Sequence, residues 1–142
     1  PYKTSIAGVI IEGGRRNFSE RAGYYLHLEP ENSIIAGGAY LPPSAWIKRI
    51  RKEIASDSDS FREIISDKNF VKYFGLLSGD KLKGAPRSYP KDHPDIDLLR
   101  YKSYMAVHEM SMEEVLADNF GDRFVDVALA LKPLNDFLNW EE

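Results

Sequence analysis

The sequence predicts an α+β protein, an antiparallel sheet of about four strands with helices packed on it. Three features lead there. Short β-branched or alternating runs crowd the first 40 residues, proline-marked amphipathic segments follow, and one more alternating run returns after residue 100 before a long closing helical stripe.

The elements follow in order. Within Tyr2 to Ile11 the run TSIAGVII is β-branched and apolar at both parities, the pattern of a central strand covered on two faces. EGGRRNFSERA, residues 12 to 22, is polar and glycine-bearing and reads as a loop. GYYLHLEP then alternates, placing Tyr24, Leu26 and Leu28 on one face and Tyr25, His27 and Glu29 on the other. Turn chemistry at residues 30 to 33 returns the chain as Ile34 to Tyr40, a register that sets Tyr25 opposite Gly38 and Leu26 opposite Gly37. Pro42 and Pro43 end the sheet, and a helix opens at Pro43 or Ser44 with Trp46, Ile47, Ile50 and Ile54 inward and Lys48, Arg49, Arg51 and Lys52 outward.

Asp57 or Ser58 and then Asp67 cap two short helices, the second stopped by Gly75. Residues 76 to 92 form a long irregular segment of the kind that is commonly functional. Asp92 or His93 caps a helix with Pro94 first. The last strand spans 101 to 108, with Lys102, Tyr104 and His108 on one side. Ser111 and Glu114 fit a capping box, and a helix from about Asp118 carries Phe120, Phe124, Val127, Leu131, Leu134 and Leu138, with a kink expected at Pro133.

Composition sets the remaining bounds. At 142 residues the chain suits one domain over 1–142 with a single core. With 43% hydrophobic, 12% aromatic and 29% charged residues, disorder, collagen and coiled coil are excluded, and zero cysteines exclude a disulfide and a thiol nucleophile. No apolar run reaches the roughly 20 residues of a membrane helix, so no membrane partner is expected. No secretory signal opens the chain, so the expected compartment is cytoplasmic. The abrupt start of an apolar run beside Pro1 reads as part of a longer chain.

Net charge is −3, unevenly spread: residues 81 to 102 hold six basic and three acidic groups, and 103 to 142 hold two and nine. Several chemistries lack their spacing. Gly75 and Gly79 are one residue short of a Walker loop, with Leu82 rather than Ser or Thr after Lys81, and there is no GxSxG elbow. His108 has no second histidine for a zinc pair, and Asp57 with Asp59 lacks the glycine and glutamate of a calcium loop. His93, Pro94 and Asp95 match the tripeptide of J domains without their two long helices. No metal and no cofactor are expected.

Three groups remain. Lys81, Lys83, Arg87, Lys91, Arg100 and Lys102, interleaved with Tyr89 and Tyr101, could bind a phosphate-bearing small molecule or a nucleic acid, with the arginines forking oxyanions and the lysines supplying point charge. Solvated cations, or cations paired with the acidic final helix, are the plainer alternative. His27 and Glu29, with Tyr25 and beside Lys102, Tyr104 and His108, could serve as acid and base, with Lys3 nearby; any half-solvated sheet shows such a face too. The face of Lys48, Arg49, Arg51 and Lys52 reads as solvated surface.

PYKT at 1–4, GYYLHLEP at 23–30, GDKLKGAPR at 79–87, DHPDIDLLRYKS at 92–103 and KPLNDFLN at 132–139 together resemble the uncharacterised domain of unknown function 2461 family. Lys3, His27, Glu29, Lys81, Lys83, Pro86, Arg87, His93, Pro94, Arg100 and Lys102 stand at positions resembling its pattern; Gly84, Ala85 and VHEM at 107–110 depart from it. Members are usually longer at the N-terminal end, so the resemblance implies the C-terminal two thirds and a missing N-terminal region as a partner. It implies a fold and no mechanism. The leading expectation is an anion-binding domain at residues 81 to 102; a hydrolase or isomerase using His27 and Glu29, and a protein-interaction module, stand beside it, so whether the protein is an enzyme is left open.

Overall fold

The computed structural model describes residues 5–17 and 19–141. Four strands, β1 (Ile6–Ile10), β2 (Gly23–Leu28), β3 (Ser33–Ala39) and β4 (Tyr104–Met110), form one antiparallel sheet in the order β1-β2-β3-β4. Helices α1 (Ser44–Ser56), α2 (Ser58–Ser66), α3 (Lys68–Phe74), α4 (Ile96–Leu99), α5 (Met112–Leu116) and α6 (Phe120–Leu138) complete the expected α+β architecture. Among the described residues no helix is long and apolar enough to cross a membrane.

The period of two sorts the sheet into a covered and an open face. Tyr24, Leu26, Ile35, Ala39, Tyr104, Ala106 and Met110 point into the helices, where Leu131, Leu134 and Leu138 of α6 and Phe61 of α2 fill the core. Tyr104 is fully buried, and its hydroxyl donates to the Leu98 carbonyl at 2.7 Å, so its polar end is satisfied. Tyr25, His27, Ile34, Ala36, Met105 and Val107 occupy the opposite face, on which the registers pair them strand by strand. Helix starts follow their caps: Asp57 accepts from the Ser60 amide and Asp67 from Asn69 and Phe70. The stripe of α6 runs through Pro133 to Leu138 as one element.

Four expectations need correction. β1 is an edge strand, not a central one: all five residues are exposed, Ile6 at 72%, so its double apolar parity serves neither a second sheet neighbour nor a covering layer among the described residues. The hairpin turn is Glu29 to Asn32, and the register sets Tyr24 opposite Gly37 and Gly23 opposite Gly38. Ser33 Oγ donates to the Glu29 carbonyl at 2.9 Å and accepts from the Glu29 amide at 3.0 Å, which closes the turn earlier than proline chemistry alone suggested. The shift is by two residues, so the faces are unchanged. The helix after the long loop begins at Ile96, because His93 spends itself on the preceding turn, its Nδ1 accepting from the Asp95 amide at 3.0 Å. Finally, β4 runs to Met110, and its Tyr104 and His108 lie on the covered face, separated from His27 by β3 and by the sheet itself.

Candidate functional site

The open face carries a line of polar side chains along β2. Tyr25 Oη lies 3.4 Å from His27 Nδ1, the two rings stack nearly parallel, and His27 Nε2 lies 3.1 Å from Glu29 Oε2. Strand geometry makes the line, since residues i, i+2 and i+4 share a face. The turn finishes it: Asn32 Nδ2 donates to the same Glu29 oxygen at 3.1 Å, and Ser33 pins the Glu29 backbone. An ionised carboxylate only accepts, so the arrangement sets Nε2 as the protonated nitrogen and leaves Nδ1 to accept from the Tyr25 hydroxyl. Hydrogen bonds from His27 first and Asn32 second hold the Glu29 carboxyl below its ordinary value. In His27→Asn the first of these donors is lost, and the Glu29 carboxyl is expected to titrate at higher pH; side-chain carboxyl NMR shifts followed against pH check this, and an unmoved titration would break the link.

Beside this line the sheet surface dips into an open concavity of about 380 Å³, walled by Val9, Tyr25, Ile34, Ala36, Met105 and Val107. Mainly apolar walls, with Tyr25, Tyr40 and Arg21 also in the lining, suit a small, mostly apolar ligand. Gly23 and Gly38, paired across β2 and β3, are among its lining residues.

The basic segment folds differently from the expected cluster. Lys81 and Tyr101 form an antiparallel bridge, flanked by Leu82 N–H to Arg100 O at 2.7 Å and Lys102 N–H to Asp80 O at 2.8 Å. Along such a ribbon side chains alternate, so Lys81, whose Nζ sits 4.7 Å from the Tyr101 ring centre, is on the side opposite Arg100 and Lys102. Arg100 turns inward, donating through Nε and Nη2 to the Leu82 carbonyl at 2.9 and 2.6 Å. Arg51, read from sequence as solvated, also braces this region, donating to the Leu99 and Tyr101 carbonyls at 2.9 Å each. Lys81, Lys83, Arg87, Lys91 and Lys102 make no ion pair among the described residues, while Arg62 Nη2 takes both Asp95 and Asp97 at 3.1 Å. Two of the loop's three carboxylates are therefore already engaged.

Lys3 lies outside the described residues. Among those described, no three His, Asp or Glu side chains gather as a metal site. Sequence reasoning set His108 beside His27, whereas it packs against α3 and α5; the signal that it does so was its parity with Tyr104, which marks the covered face.

Fold and site together define a small α+β protein whose sheet is helix-covered on one face and bears a polar relay beside an apolar hollow on the other. The chain belongs to the family of conserved hypothetical proteins DUF2461, whose model matches residues 1–137. That is essentially the whole chain, so the narrower expectation of a C-terminal two thirds is slightly off. No curated protein and no solved structure matches it.

Proposed function

We propose that the open face is a ligand site for a small, mostly apolar molecule, and that the protein is an enzyme of the hydrolase or isomerase type moving a proton there. The hydrogen-bonded line Tyr25, His27, Glu29 beside the concavity carries the reading. Tyr25 lines the hollow and would meet the substrate; His27 takes or returns its proton; Glu29 holds the imidazole in the tautomer that can do so. Filling the hollow tests the binding half. Val9→Trp, on the exposed edge strand, leaves the core untouched. It should abolish chemical-shift changes at Ala36 and Val107 that a library of small apolar carbonyl compounds induces in the unaltered chain. No such changes in the unaltered chain, or changes that survive Val9→Trp, would reject the site.

A second reading has its own support. The ion-pair-free cations Lys81, Lys83, Arg87, Lys91 and Lys102, with Asp95 and Asp97 engaged by Arg62, leave a positive field that favours a phosphate-bearing ligand. Arg100, committed to backbone carbonyls, would position the loop rather than fork an oxyanion. Binding of labelled single-stranded DNA and of inorganic phosphate, measured against salt, separates a polyanion from a small ligand. The Lys81→Ala/Arg87→Ala double variant should lower the salt slope on single-stranded DNA by about 1.4 if both contact phosphates. An unchanged slope would remove these residues from the reading.

A further inference from the structure

The covered face holds a second histidine in a setting that the proposed site does not use. His108 Nδ1 lies 2.9 Å from the Tyr73 carbonyl oxygen at the end of α3. A carbonyl only accepts, so Nδ1 carries a proton. Its other nitrogen, Nε2, faces Glu114 Oε2 of α5 at 3.6 Å, and both atoms are shut off from solvent with no hydrogen-bond partner among the described residues. Arg123 Nη1 of α6 stands 3.8 Å from the same oxygen. The Tyr73 ring meets the imidazole edge-on at 5.6 Å, with Lys72 Nζ 5.0 Å from that ring's centre. From β3 the residue opposite is the apolar Ile35, and Glu109, next along β4, points to the open face.

With Nε2 bare, two buried acceptors oppose each other and both lose water without return. A proton on Nε2 converts the same geometry into an ion pair. Beyond His108, α5 is held by few contacts: none of its five residues is buried, Val115 leans on the small cluster of Ile35, Met110 and Val127, and Arg123 reaches Glu114 at 3.8 Å. We propose that His108 is a proton-operated latch, which when doubly protonated ties α3, β4 and α5 together and when Nε2 is bare releases α5. The sign follows from the charges: closed when Nε2 carries a proton, open when it is bare.

Amide exchange across Ser111 to Ala117 of the whole chain, corrected for intrinsic chemistry, reads the latch between about pH 5.5 and about pH 8.5. Exchange in α5 should rise about tenfold beyond the intrinsic change at the alkaline end, the scale of one lost charge-assisted bond. In Glu114→Gln the amide can donate to bare Nε2, so α5 should stay protected at both ends. His27→Asn should keep the full response, which separates the latch from the open-face relay. A pH-independent α5 in the unaltered chain, or the same response in Glu114→Gln, would overturn the proposal. His108→Gln, which cannot titrate, should also be flat, but its fold is at greater risk; Glu114, one-third exposed, makes the decisive variant.

Discussion

Gly38→Ala is expected to cost about 4 kcal/mol or more of stability, enough to unfold a typical small domain under mild denaturant. Two independent penalties meet there. The residue sits at φ +105°, a conformation that L side chains rarely adopt. A Cβ added at that position would also collide with the Tyr104 carbonyl oxygen and lie 2.9 Å from Met105 Cα, both backbone atoms of the neighbouring strand. Neither can rotate aside as a side chain end could. Relief would need β3 and β4 to part where Gly38 pairs with Met105, next to the fully buried Tyr104. Gly84→Ala is the matched control, since it meets nothing within 4 Å and has no positive φ. Urea unfolding of both variants measures the difference; a loss below about 1 kcal/mol for Gly38→Ala would mean that the strand accommodates the methyl group at little cost.

The same position explains why part of this protein was legible in its sequence and part was not. Alternation in GYYLHLEP placed Tyr25, His27 and Glu29 together on one face, and side-chain parity survives a two-residue register error. The caps at Asp57, Asp67 and Ser111 were legible because capping is local chemistry. What failed was non-local. Strand order decides whether TSIAGVII is central or an edge, and no residue within the run encodes that order. Whether a cation is free or committed is also set at a distance. Arg51 and Arg100 look like Lys48 and Lys102 in a charge count, yet each spends its guanidinium on backbone carbonyls far along the chain. The concavity was invisible for a related reason: its walls come from all four strands, and only the register brings Val9, Tyr25, Ala36 and Val107 side by side.

Tyr25→Phe and His27→Ala are each expected to lower kcat/KM of the reaction on the open face by about 10²- to 10⁴-fold, the usual contribution of a positioned proton-transfer group. At about 1.4 kcal/mol per factor of ten, that is roughly 3 to 5 kcal/mol of barrier. The loss should fall on kcat more than on KM, because the apolar walls that hold the ligand are untouched. The two effects should not add in the double variant, since His27 acts only through the proton it exchanges with Tyr25 at 3.4 Å. Glu29→Gln keeps the size of the side chain and removes the carboxylate that accepts from Nε2, so it should impair the rate without disturbing binding at the hollow. The pH dependence has a definite sign on its acid limb. On the acid side the relay is lost when the Glu29 carboxyl protonates, which its donors His27 and Asn32 hold below the ordinary range. Activity therefore rises with pH, and in Asn32→Ala the carboxyl-dependent part of that rise should move to higher pH, because one of the two donors is gone. Rates and pH profiles of the four variants, measured on whichever carbonyl compound binds at Ala36 and Val107, check this; full activity in Tyr25→Phe would remove the phenol from the chemistry and leave the line of side chains as surface structure alone.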